Sequence, residues 1–327
     1  MRLEPRLCPT PLWESLARED ASATFFQTPL WLHLAALHLA SAGGRPRTEP
    51  FPLLFDFPQG PACLPLLRDQ RWGRDVFFTP FGTYASLLSG RALDADEIRR
   101  VEAELGRLNL LMPVSPFARN PVRTGAVRPA RTQVIDLTPD HIGTPERFWD
   151  PDPRRRLRIA GENGVRVRAA TSREDWDAYY GLYLKSLERW GADTTSSYPA
   201  SLFEAIRVAS ETAQSPAIRL WLAEHEGKPA GGYLAFYHNH HACIWHGAAD
   251  REYFKLGATQ QLYHAMISDA AQRGYAVFDL MGSAGLSALE AFKASVGART
   301  VEYDTSLNRV GLAGGLAGLW ARARGRA

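Results

Sequence analysis

Between residues 165 and 307 the hydrophobic period of the chain switches repeatedly between two and about 3.6, and the order of those switches restricts the fold more than any single motif. "VRVRAA" (165–170) alternates as a strand. "TSREDWDAYYGLYLKSLERWG" (171–191) sets Trp176, Tyr179, Tyr183, Leu187 and Trp190 at helical spacing, with Ser172 and Asp175 placed to cap its start. The pattern then predicts a helix over 199–213, strands over 218–225, 229–238 and 241–248, and a helix over 257–274 closed by a glycine. A strand over 276–282, a short helix over 287–297 and a strand over 299–307 complete it. The short helix carries Ser287 and Glu290 at capping-box spacing, with Gly297 as terminator. That order predicts one α/β unit around a mostly antiparallel sheet.

The first half reads as α+β. Residues 22–41 form an expected helix with Trp31, Leu34, Ala35 and His38 on one face and Thr28-Pro29 near its start. Strand-like runs at 50–57, 62–69 and 76–84 follow, then a helix over 94–108 capped by Asp94 or Asp96, and strands over 110–117 and 132–137. A proline- and charge-rich stretch (138–164) begins as a linker and ends in a basic helix over 151–161. At 327 residues the chain suits two domains, divided here as 1–150 and 151–327.

Composition narrows the function. A net charge of +3 demands no nucleic-acid surface. Cys8, Cys63 and Cys243 are odd in number and far apart, which excludes a disulfide framework or zinc ribbon and fits a reducing compartment. The N-terminus lacks the apolar core of a signal peptide, and the run at 29–40 is too short to span a bilayer, so the expected location is the cytoplasm. Lysine is scarce; Lys185, Lys228, Lys255 and Lys293 stand among many arginines.

"YHNHHACIWHG" (237–247) suggests a metal site, but a hairpin explains it better. His238 and Asn239 fall at the expected tip. On the outgoing strand His240 and His246 share one face, while His241, Cys243 and Trp245 share the other, so no three ligands converge and no metal is expected. His246, at the strand's inner end, is a candidate to line a cleft.

The segment "RGYAVFDLMGSAGLSALEAFKASVGA" (273–298) resembles the end of the Fem-type (FemAB-like) GNAT domain: a strand ending in Asp-x-x-Gly-Ser, a loop, and a short helix bearing Phe-Lys. "ATFFQTPLWL" (23–32), "RRRLRIAGENGVRVR" (154–168), "YLKSLERWG" (183–191) with "YPASLFEAI" (198–206), and "GKPAGGYLAFY" (227–237) resemble further family segments in the family's order. The resemblance implies two GNAT-like domains side by side with a substrate cleft between them, and transfer of an activated acyl group to an amine. In the peptidoglycan branch the donor is aminoacyl-tRNA and the acceptor a cell-wall precursor; other members resemble acyltransferases of exopolysaccharide or secondary-metabolite synthesis. No tightly bound cofactor is implied.

Amide formation needs a neutral amine, close approach, and stabilisation of the oxyanion. Lys293 is expected to leave the core beside the buried stripe Leu289, Phe292 and Val296 and to neutralise that oxyanion or a substrate phosphate. Asp279 is the candidate proton acceptor or partner of a basic group. Gly282, Ser283 and Gly285 leave room for backbone N–H groups at a ligand. Arg189, Arg154 and Arg155 suit a diphosphate, on an acceptor that is nucleotide- or lipid-linked. Phe292, Tyr198, Gln27 and Trp31 are implied substrate contacts by motif position.

The loop "ADREYFKLGATQQL" (249–262) lacks the Q/R-x-x-G-x-G/A pattern of coenzyme A–dependent members, which favours charged tRNA over acyl-CoA as donor. The tail "VGLAGGLAGLWARARGRA" (310–327) joins an apolar run to Arg322, Arg324 and Arg326; it reads first as the frayed, basic end of a last helix, with a peripheral contact with an anionic membrane as the alternative. The alternatives are an acyl-CoA–dependent N-acyltransferase and a non-catalytic binding protein of the same fold.

Overall fold

The computed structural model describes residues 5–42, 48–71, 74–191, 197–212 and 217–308. Two compact units emerge: Met1–Ala130, Thr195–Leu202 and Glu302–Ala327 form the first, and Arg131–Thr194 with Phe203–Val301 the second. A division at 150/151 differs from this grouping, because residues 131–150 pack with the second unit and 302–308 with the first. The tail at 310–327 lies outside the described residues.

In the first unit, β1 (Arg6–Leu7), β3 (Leu53–Phe55) and β4 (Ala62–Leu64) make a small antiparallel sheet. A larger sheet runs β2 (Thr48–Pro50), β5 (Leu67–Arg71), β6 (Arg74–Phe78), β7 (Asn109–Pro113) and the end of β14 (Arg299–Asn308), with only β6–β7 parallel. Helix α1 (Thr10–Glu19) buries Trp13, Leu16 and Ala17; its Pro11 starts the helix instead of breaking it. Helix α2 (Pro29–Ala42) buries the expected face of Trp31, Leu34, Ala35 and His38. In α3 (Ala95–Leu105) Asp94 accepts the N–H groups of Asp96 and Glu97, and the Glu97 side chain returns to the Asp94 N–H.

The second unit holds the ordered pattern. Strand β8 (Ala126–Asp136) ends in it, followed by α4 (Pro151–Glu162), β9 (Arg166–Ala169), α5 (Arg173–Trp190) and α6 (Ala200–Thr212). Then come β10 (Ile218–His225), β11 (Lys228–His238), β12 (His241–Ala249), α7 (Ala258–Gln272), β13 (Val277–Asp279) and α8 (Ser287–Ser295). The sheet order is β8-β13-β12-β11-β10-β9, antiparallel except for β12–β13. Helix α7 presses Leu262, Tyr263, Met266 and Ile267 into a core with Trp221, Tyr237, Ile244 and Phe278. Tyr179, Leu182 and Tyr183 of α5 are buried as well.

Two sequence expectations fail here for local reasons. The hairpin tip is Asn239-His240, with His238 paired to His241 and Asn239 at φ 45, a left-handed turn position that asparagine tolerates. The β11–β12 register then slips, with Ala235 opposite Ile244 and Leu234 opposite His246, leaving Trp245 as a bulge. The extra residue resets the alternation. His246 therefore faces opposite to Ile244, on the side of Cys243, and not with His240 as strict parity predicts. Among the described residues no group of His, Cys, Asp and Glu is placed to hold a metal.

Candidate functional site

Strands β12 and β13 pair over only three positions, His241–Cys243 with Val277–Asp279. Beyond them β12 continues to Ala249, while β13 ends and the chain turns through residues 280–286 into α8. That turn is strained: Met281 and Ala284 hold φ of 59 and 51, where a Cβ crowds the backbone, and Gly285 holds 80.

Lys293 holds the turn. Its Nζ donates to the Met281 carbonyl at 2.7 Å and the Gly282 carbonyl at 3.1 Å. Contrary to expectation it does not leave the core: it is 4% exposed, whereas Leu289 is 37% exposed. The helix is rotated from the expected stripe because the turn's two carbonyls lie on its inner side and need a donor. Val296 is buried and Phe292, half-buried, meets Tyr263 edge to face at 5.2 Å. The expected capping box is absent too, since Leu286 occupies the N-cap and Ser287 is already helical. Burial pulls the Lys293 ammonium from its ordinary 10.5 down to about 8, while Asp279 and Glu290 oppose the fall.

Asp279 is buried at the end of β13, and its Oδ1 accepts from the Thr132 hydroxyl at 2.6 Å and the Met281 N–H at 2.8 Å. Ser283 donates to Gln133 Oε1 at 2.8 Å, the Leu280 N–H donates to the Gln133 carbonyl at 2.8 Å, and Gln133 Nε2 reaches Glu290 Oε1 at 3.4 Å. A Cβ on Gly282 would come within 3.1 Å of the Arg131 carbonyl. Three consecutive residues of β8 thus grip the whole turn. Sequence reasoning missed Thr132 and Gln133; the available signal was a polar pair entering an otherwise apolar run, "TQVI".

The remaining candidates separate. His246 is enclosed by Tyr179, Tyr183 and Phe203, shares a 2.6 Å hydrogen bond between Nδ1 and the Tyr179 hydroxyl, and is pushed by burial to about 3. At neutral pH it is an uncharged core histidine. Gln27 caps a 3-10 turn with Thr24 and donates to the Tyr84 carbonyl, Trp31 donates to Thr83, and Tyr198 packs on Phe81 and His38. All three are buried in the first unit, held by these packing contacts and hydrogen bonds. Arg154 and Arg155 lie exposed on α4, Arg155 paired with Asp152. Arg189 ends α5, donating to the Ala249 carbonyl at 3.0 Å and to Ser186 at 3.3 Å.

The start of α7, where a diphosphate would dock on backbone N–H groups, is closed on one side. Gly257 at φ 74 is its N-cap, and a Cβ there would stand 2.2 Å from the Arg156 carbonyl of α4.

Residues 152–294, from α4 to α8, match the family model of the acetyltransferase (GNAT) domain. This stretch is similar to a GNAT-type acetyltransferase domain. Its split β12–β13 pair, followed on either side by α7 and α8, carries the polar turn. The chain is also similar in fold to FemX (TM-score 0.66, 12% identity, covering 94% of this chain and 98% of that one). A conserved protein from Bacteroides thetaiotaomicron VPI-5482 resembles it at TM-score 0.56 and 12% identity, over 94% of this chain and 100% of that one. L-PGS from Bacillus licheniformis does so at TM-score 0.50 and 12% identity, over 84% and 90%. No curated protein matches the chain in sequence. Among the described residues no helix is long and apolar enough to cross a membrane.

Proposed function

We propose that the GNAT domain transfers an aminoacyl group from aminoacyl-tRNA to the amine of a cell-wall precursor or related metabolite, at the turn held by Lys293. The observation that carries this reading is a buried lysine, brought to about 8 beside Asp279 and bonded to two carbonyls of a strained turn. Two of its N–H groups hold the turn and one is left for a substrate oxygen. The amine attacks the ester carbonyl, the C–N bond forms, and the oxyanion lies against the ammonium. Collapse breaks the C–O bond to the ribose; Lys293, near 8, hands a proton to that oxygen and regains one from the former amine nitrogen as it becomes the amide. Asp279 serves as the counter-charge that keeps Lys293 protonated against burial. Exposed Arg154 and Arg155 remain available to a phosphate-bearing acceptor. The fold likeness to FemX and L-PGS supports the reading at the level of architecture.

The GNAT assignment itself favours a second reading, in which acyl-CoA is the donor. The contact of Gly257 with the Arg156 carbonyl and the absent glycine pattern weigh against it. Purified protein incubated with labelled aminoacyl-tRNA, or with acetyl-CoA, and an amine-bearing muropeptide precursor separates the two. Label reaching the amine from tRNA, and lost when the tRNA is first digested with ribonuclease, supports the proposal. Transfer from acetyl-CoA alone overturns it.

A further inference from the structure

At the end of α5, Trp190 is 40% exposed, and on the 3-10 turn Arg251–Leu256 that follows β12, Phe254 is 43% exposed. The Arg189 guanidinium lies over both rings, 5.8 Å from the Trp190 ring centre and 5.2 Å from that of Phe254. Its bonds to the Ala249 carbonyl and Ser186 fix the plane, so the three groups form a built surface and not three independent side chains. Residues three apart eclipse on a 3-10 helix, which sets exposed Arg251 along the edge of Phe254, with exposed Lys255 next to it. Of the nearby carboxylates, Asp250 is engaged by Lys185 at 2.6 Å, while Glu188 and Glu252 are exposed. Counting Arg189, Arg251 and Lys255 against Glu188 and Glu252 leaves the edge of the platform cationic.

We infer that Phe254, Arg189 and Trp190 are a stacking platform for the unpaired 3′-terminal bases of an RNA. Flat π-faces interleaved with a guanidinium accept successive bases whatever their identity, and flanking cations meet the phosphates. The inference rests on the aminoacyl-tRNA reading and names the part of the donor this domain grips. RNA is favoured over coenzyme A because the segment before α7 lacks the glycine pattern and the Arg156 carbonyl packs beside Gly257, leaving little room at that helix start. A single strand needs only the platform and its basic edge.

The test is fluorescence anisotropy of a 5′-labelled pentaribonucleotide ending in cytidine-cytidine-adenosine, titrated with the full chain at fixed low ionic strength. Phe254→Ala and Trp190→Ala should each weaken binding at least tenfold, Arg189→Lys should weaken it despite keeping the charge, and Phe254→Tyr and Trp190→Phe should bind within about twofold of the parent. Circular dichroism confirms that each variant folds. Parent protein that does not bind, alanine variants that bind as the parent does, or coenzyme A that displaces the RNA more readily than an unlabelled copy of it would each overturn the inference. Lys293→Met separates this from the catalytic reading. It should abolish transfer and leave RNA affinity unchanged; full transfer by that variant sinks the role given to Lys293 and leaves the platform standing.

Discussion

Lys293→Met should change how stability depends on pH in a narrow alkaline window. The folded ammonium titrates at about 8 against an ordinary 10.5. Below pH 8 both states carry the proton, and the folded protein bears the full cost of a buried charge. As pH rises towards 10.5 the folded lysine loses its proton while the unfolded one keeps it, so stability rises. At 1.36 kcal/mol per pH unit the gain between pH 8 and pH 10 comes to about 2 kcal/mol. Methionine has similar length and no charge, so the variant lacks this rise, although it leaves the Met281 and Gly282 carbonyls without their donor. Buried Cys63 and Cys243 are pushed up by desolvation and act in the opposite direction above pH 9, but they act equally in both proteins and cancel in the difference. Urea unfolding followed by tryptophan fluorescence at pH 7.5, 8.5 and 9.5 measures that difference. Parallel curves for the two proteins would refute the claim that Lys293 is a desolvated ammonium, and with it the acid–base role built on it.

His246 works at the other end of the scale. With the folded imidazole at about 3 against an ordinary 6.5, its stabilising effect is present above 6.5 and is lost as pH falls, by about 3 kcal/mol between pH 6.5 and 4. His246→Phe should flatten that acid loss in thermal melts; an unchanged acid profile counts against the closed aromatic box. Gly257→Ala places a Cβ 2.2 Å from the Arg156 carbonyl at a φ of 74, and should cost at least about 2 kcal/mol by urea titration. Thr132→Val removes the hydroxyl that holds Asp279 and should slow aminoacyl transfer about tenfold at unchanged acceptor KM, while Thr132→Ser restores it. A Val variant as fast as the parent would remove Thr132 from the support of the site.

What the sequence revealed and what it hid divide along physical lines. The strand and helix order of residues 165–307 was legible because each element buries one face with its own period, as Tyr179 and Tyr183 do along α5. Caps that use a single local pair were legible as well, Asp94 with Glu97 and Ser172 with Asp175. The site was legible only as a segment. Asp279, Gly282, Ser283 and Lys293 do meet, but the direction of Lys293 was misjudged because helical periodicity counts apolar side chains and ignores carbonyls that need a donor. His246 was misplaced by one bulge, which no local pattern announces. Thr132 and Gln133 lie about 150 positions before the residues they hold, a separation across which one sequence gives no pairing signal. Gln27 and Trp31, placed by motif, are buried in the fold, and a motif marks a position without saying whether it faces a ligand or a core.

The chain passes between its two units four times, at 130/131, 194/195, 202/203 and 301/302. A single cut therefore yields neither unit intact. Expression of 151–327 alone would discard Thr132 and Gln133 and leave the Asp279 turn without its clasp, while expression of 1–150 would forfeit the strand that completes the β7 edge. Gene fusions, shuffled halves and truncated libraries should accordingly give insoluble product, and any working dissection must reconnect segments that lie far apart in the reading frame.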